Sequence, residues 1–133
     1  MGMKYIKYFI QFILTIFSFI LFKVLGPKLS SNISGKIFEK VGPLFRSKNI
    51  IHSNIRNVFP NIDDKNLNQI IKKMWNNYGR VFAEYIFIKD FRLGKLSSKI
   101  EISGQEILNE IISHNKQAVF VSGHLGNFEL MAM

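Results

Sequence analysis

The longest apolar run lies near the N-terminus, from Tyr8 to Phe22 (YFIQFILTIFSFILF), with Gln11, Thr15 and Ser18 its clearly polar members and Lys7 and Lys23 bracketing it. Counted from Tyr5 to Leu25 it approaches the roughly 20 residues that cross a bilayer core, provided the flanking lysines snorkel. A secretory signal peptide has a similar profile, but Leu25-Gly26-Pro27-Lys28 offers no small-x-small cleavage site. The pattern therefore predicts an uncleaved membrane anchor over residues 1–28. Lys4 and Lys7 precede the run, whereas Lys23, Lys28, Lys36, Lys40, Arg46 and Lys48 follow it. That basic bias predicts a cytoplasmic location for the remaining domain, residues 29–133.

Past the anchor the apolar spacing turns helical. One short pattern around Ile33, Ile37, Phe38 and Val41 stops at Gly42-Pro43, and another around Ile51, Ile55, Val58 and Phe59 stops at Pro60. Asp63 or Asp64 then caps a longer helix, whose stripe of Leu67, Ile70, Ile71, Met74, Tyr78, Val81, Phe82, Tyr85 and Ile86 keeps three-four spacing for about five turns. Trp75 widens the stripe. Arg80 and Glu84 form an i, i+4 pair expected on the solvated surface.

A change of period follows. Ile100 and Ile102 alternate with Glu101 and Ser103 as a short strand, Gly104 breaks it, and Gln105 to Asn115 reads as a helix turning Ile107, Leu108, Ile111 and Ile112 inward. Ala118 to Ser122 is a second apolar, β-branched strand. Strand, helix, strand at this spacing predicts a parallel βαβ unit with a right-handed crossover. The expected fold is α/β: an N-terminal membrane helix, a helical region, then the start of a parallel βαβ sheet that is cut short, since two parallel strands leave both edges and both faces open.

Composition narrows the chemistry. Cysteine is absent, which removes disulfides, thiolate metal sites and a cysteine nucleophile. Lys and Arg number 18 against 9 Asp and Glu, a net charge of +9 that suits an anionic membrane surface. The lysines are scattered and no RNA- or DNA-binding motif accompanies them, so no nucleic-acid partner is expected. His52 and His114 lie on or beside helical patterns without a carboxylate at a suggestive spacing, and neither is assigned a role.

The remaining histidine stands at the end of the second predicted strand, in AVFVSGHLGNFELM. On an unbroken helix the five-residue interval from His124 to Glu129 turns the chain by about 500°, which leaves the side chains about 140° apart. They meet only if the backbone turns between them. Gly126 supplies that turn, so Glu129, in the first turn of a helix with Asn127 as its N-cap, can bond one ring nitrogen and leave the other as a base. No second histidine stands at the i, i+4 spacing of a zinc site, and no metal or cofactor is expected.

The stretch GHLGNFE, an H-x4-E motif after an apolar strand, resembles the signature of the lipid A biosynthesis acyltransferases, the lauroyl and myristoyl transferases of Gram-negative lipopolysaccharide assembly. Leu125, Gly126, Asn127 and Phe128 carry the match inside the motif. NIRNVFPNI (Asn54 to Ile62), YGRVFAEY (Tyr78 to Tyr85) and the N-terminal apolar segment extend it. The likeness covers the chain but only the N-terminal part of that family's fold. It implies transfer of a fatty acyl chain from acyl carrier protein to a hydroxyl of a lipid A precursor at the cytoplasmic face of the bacterial inner membrane, with His124 and Glu129 as catalytic residues. Two readings stand beside it: an inactive membrane-tethered fragment of such an enzyme, and a phospholipid (glycerolipid) acyltransferase with Glu129 where Asp is usual.

Overall fold

At Gly26 the backbone takes φ 76°, ψ 167°, a conformation open essentially to glycine alone. In the computed structural model, which describes residues 2–123 and 126–132, this residue divides the first helix, α1 (Gly2–Val41), into two rods, residues 2–25 and 27–41. Pro27 starts the second rod, where its missing N–H costs nothing. The buried Ser30 hydroxyl donates to the Gly26 carbonyl at 2.7 Å, occupying an acceptor at the break.

The second rod packs antiparallel on α3 (Asp64–Glu84): Ser31 bonds Glu84, while Glu39, further along α1, bonds Asn76, earlier in α3. Small residues set the separation. Ser30, Ser31, Ser34 and Gly35 face α3, and Gly79 and Ala83 are buried on the opposing side. A Cβ added to Gly79 would sit 2.7 Å from Phe38 Cβ and press into the Ser34 carbonyl, so the two backbones touch here. At Gly42, just past the rod, a Cβ would run into the Trp75 indole. Nearer the Gly26 break, Phe82 gathers Phe19, Phe22 and Phe38 with ring centroids 5.6, 6.1 and 5.6 Å away. Such pairs add roughly 0.5–1.5 kcal/mol each beyond burial.

The burial register of α3 departs from its apolar stripe. Leu67, Trp75, Gly79 and Ala83 are buried, with Phe87 in the 3₁₀ turn Tyr85–Phe87 continuing the line, whereas Ile70, Tyr78 and Tyr85 are exposed. Close approach requires the face with the small side chains, and that requirement outweighs the burial of larger apolar groups. Arg80 and Glu84 do not form the expected surface pair. Arg80 donates to Asn32 Oδ1 at 2.8 Å and Glu84 accepts from Ser31 at 2.8 Å, so both reach across to α1.

A 3₁₀ turn at Gly42–Leu44 ends the first hairpin arm, and α2 (Lys48–Val58) leads back to α3. Asp63 caps α3, accepting from the Asn66 backbone at 2.8 Å, while Asp64 pairs with Arg56 at 2.6 Å on the surface. These elements form one of two compact units, Met1–Phe87; the other is Ile88–Met133.

The second unit contains α4 (Ile88–Leu93), a 3₁₀ turn at Ser97–Lys99, α5 (Gln105–Ser113) and a 3₁₀ turn at Phe128–Ala132. α5 stands where a helix was expected over Gln105 to Asn115 but stops at Ser113, and of the four residues expected to turn inward Ile107 and Ile112 are exposed while Leu108 and Ile111 are half-buried. Its end is a Schellman motif: Asn115 takes φ 49°, its N–H bonds the Ile112 carbonyl, and the Lys116 N–H bonds that of Ile111.

The predicted sheet is absent: among the described residues there is no strand, and the α/β, βαβ expectation is overturned in favour of an all-helical arrangement. Residues 100–102 and 118–122 are irregular, and Val119 and Val121 are 90% and 93% exposed. A β-branched run becomes a strand only by pairing, and two parallel strands without further neighbours or a covering layer are not stable by themselves. The described residues offer neither. As to the predicted membrane helix, Met3–Leu44 is the one described stretch long and apolar enough to cross a membrane by length and composition. Only 6% of its apolar window is buried, unlike a soluble core helix.

Two outcomes test this packing. Gly79→Ala gains about 1 kcal/mol of helix propensity but forces two backbones apart at a cost of about 1–3 kcal/mol, so it is expected to lower stability in denaturant titration. Ser34→Ala removes a buried hydroxyl that has no hydrogen-bond partner and is expected to be neutral or stabilising by up to about 1 kcal/mol. The Asn66 backbone and side-chain donors hold the Asp63 carboxyl below its ordinary value of 3.8. A lowered carboxylate contributes stability above its unfolded value and loses it as pH falls through the folded one. The melting-temperature deficit of Asp63→Ala is thus expected to be full at neutral pH and to shrink below about pH 4.

Candidate active site

The predicted catalytic pair spans the break between Gly123 and the Phe128–Ala132 turn. His124 lies outside the described residues, so its pairing with Glu129 is not part of the geometry on view. Gly126 has φ 58°, the left-handed conformation expected of a residue that reverses the chain between the two. Asn127 follows, and its carbonyl accepts the Leu130 N–H at 3.1 Å, closing the first turn of the 3₁₀ segment. Glu129 sits one residue into that segment and is half-buried. The expected regular helix is therefore a single tight turn, packed against α4. The backbone carbonyl of Asp90, at the first turn of α4, accepts the Gly94 and Leu96 N–H groups at 3.0 and 3.1 Å and so holds the next loop.

Among the described residues, no group of three or more His, Cys, Asp or Glu is arranged to hold a metal ion. His114 is a helix-end residue whose Nδ1 lies 2.9 Å from the Glu110 carbonyl.

Two features of the Met1–Phe87 unit went unread in the sequence. One is an open, solvated groove along the hairpin, lined by Glu39, Gln69, Lys72, Lys73, Asn76 and Arg80 among others. Glu39 anchors it, accepting from Asn76 Nδ2 at 2.6 Å and pairing with Lys72 at 3.5 Å. The other is a smaller cleft involving His52, to which no role was assigned. The signal for it was the i, i+4 spacing of Lys48 and His52, legible only once their partner helix is known.

The sequence profile of the bacterial lipid A biosynthesis acyltransferases matches residues 2–133, and the chain belongs to that family. Neither a curated protein nor a solved structure matches it significantly. Family membership makes the chain one of the acyltransferases of lipid A biosynthesis, a class that takes an acyl donor and a lipid A acceptor. The resemblance carried by His124, Gly126 and Glu129 thus extends to the whole chain.

Proposed function

We propose that the protein transfers a fatty acyl chain from an acyl carrier protein thioester to a hydroxyl of a lipid A precursor at the cytoplasmic face of the inner membrane. The observation that carries this reading is the family match over residues 2–133, which includes the intact Gly-His-x4-Glu motif. In the mechanism, His124 takes the acceptor hydroxyl proton as its oxygen attacks the thioester carbonyl. Collapse of the tetrahedral intermediate forms the ester and breaks the C–S bond, and the imidazolium returns the proton to the departing thiolate. Glu129 holds the imidazole in one tautomer and stabilises its charged form. General-base assistance of this kind contributes about 10² to 10⁴ in rate.

Membrane attachment is proposed through residues 2–25. The rod exposes large apolar groups along its length, with Phe9 and Phe17 each 64% exposed, an apolar surface too extensive to leave in water. Its hydroxyls are satisfied within the helix: Thr15 donates to the Gln11 carbonyl at 2.8 Å and Ser18 to that of Thr15 at 2.7 Å. Groups bonded in this way enter hydrocarbon at little penalty.

In an assay of membranes carrying the protein, with acyl carrier protein thioester and lipid A precursor, His124→Ala is expected to reduce turnover by at least about 10²-fold. Glu129→Gln should lower kcat while leaving acceptor KM nearly unchanged, because Glu129 acts on the histidine. Near-normal turnover in His124→Ala would remove the general-base role. For topology, the absence of cysteine permits a clean single-site label. A cysteine at Ser98 is expected to react with an impermeant maleimide only after the inner membrane is opened, and the protein should remain in the pellet on carbonate extraction. Labelling in intact spheroplasts would reverse the orientation.

A further inference from the structure

Two lines of side chains, one apolar and one basic, run together along the second rod of α1. Leu29, Ile33, Ile37 and Val41 recur at every fourth position, and Lys28, Lys36 and Lys40 each immediately precede a member of that series. Fourfold spacing winds both lines slowly around a helix and keeps them about 100° apart. Neither belongs to the seam with α3, which takes Ser30, Ser31, Ser34 and Gly35. Leu29 and Ile37 are each 49% exposed, Ile33 is half-buried, and the lysines are exposed. The apolar line ends at the hairpin turn, where Leu44 and Phe45 are 82% and 76% exposed ahead of Arg46 and Lys48.

The joint at Gly26 brings this face to the membrane. Phe19 on the first rod and Phe38 on the second both lie 5.6 Å from Phe82, although an unbroken helix would separate them by about 28 Å. The second rod is therefore bent well out of the first rod's line. With residues 2–25 across a bilayer, such a bend turns the second rod aside at headgroup level. There an apolar stripe can enter the acyl boundary while lysine stems snorkel and keep their ammonium groups wet.

Charge names the occupant. From Pro27 to Lys48 the chain carries five cations and one carboxylate, Glu39, and that carboxylate is turned to α3, accepting from Asn76 and pairing with Lys72. Asn32, which holds the remaining place in the basic line, accepts from Arg80, so a further cation stands beside it. A second copy of this chain would set cation against cation, and a nucleic acid would leave the isoleucines in water.

We infer that the second rod lies in the interface of an anionic membrane, with Leu29, Ile33, Ile37 and Val41 below the headgroups and Lys28, Lys36 and Lys40 paired with lipid phosphates. Leu44 and Phe45 secure its far end. The inference rests on the membrane reading of the first rod and is independent of acyl transfer.

The full chain lacks cysteine, so a nitroxide can be placed singly at Phe12, Ile37 or Ile70 and the protein reconstituted in phosphatidylcholine vesicles with and without phosphatidylglycerol. Collision with oxygen and with a water-soluble nickel chelate reads the depth of each label. Phe12 reports on the first rod, and Ile70, half a turn around α3 from Gly79, is the aqueous reference. In anionic vesicles the Ile37 label is expected about 5–10 Å into the headgroup and acyl boundary, and clearly shallower in phosphatidylcholine alone. Lys28→Gln with Lys36→Gln and Lys40→Gln should bring it to that shallower value while helicity by circular dichroism and the Phe12 depth stay unchanged. An aqueous Ile37 label beside a lipid-embedded Phe12 label would overturn this inference alone, whereas aqueous labels at both sites would overturn the anchor reading with it. Equal Ile37 depth with and without phosphatidylglycerol would overturn the anionic-lipid assignment. Spin–spin broadening at Ile37 that grows with the protein-to-lipid ratio would give the face to a second copy instead.

Discussion

Contact between two backbones at Ser34 and Gly79 is the constraint on which the helical hairpin depends. Helices normally keep apart by the thickness of their side chains, and here that thickness is reduced to hydroxymethyl groups, methyls and hydrogens. Once the helices are so close, the longer polar side chains beside the seam can reach the opposite helix. Ser31 to Glu84, Arg80 to Asn32 and Asn76 to Glu39 are all within 2.8 Å, distances a leucine-packed seam would not permit. The bonds are a result of proximity as much as a cause of it. Each is partly solvated and of modest worth alone, and together they fix the register of one helix on the other.

What could be read in advance follows the range of the interactions involved. The ends of α2, α3 and α5 were visible because glycine, proline and aspartate act within a few residues of their own position: Pro60, Asp63 and Gly104 mark boundaries the structure keeps. The buried face of α3 was misread because hydropathy weighs Ile70 and Tyr78 above Gly79. Gly79 is valuable for what it lacks, which becomes apparent only against a partner 45 positions earlier in the chain, at Ser34. The same limit explains Arg80 and Glu84, whose local spacing fitted a pair while their nearer partners stood on another helix.

The candidate site divides along similar lines. The motif from Gly123 to Glu129 is short and chemically specific, so its family was legible without coordinates, and the left-handed Gly126 agrees with the turn it required. The strand assignment on its N-terminal side was not secure in the same way. Ala118 to Ser122 has the composition of a strand, but composition expresses only a tendency to pair. Pairing is a property of at least two segments, and the described residues leave this one without a neighbour.

The joint at Gly26 separates what the two rods can each tolerate. Phe19 and Phe22 pin the last turns of the first rod to Phe82, and Lys23 lies over the Phe87 ring at 5.1 Å, so the rod is fastened at its base and unattached above. One residue inserted above Phe19 would turn everything N-terminal to it by about 100° and lengthen it by about 1.5 Å. None of that rotation would pass into the hairpin. Length and sequence in the upper part of the rod are therefore free to drift with the thickness and composition of whatever surrounds it, while the sequence from Phe19 onward is held to the geometry of α3.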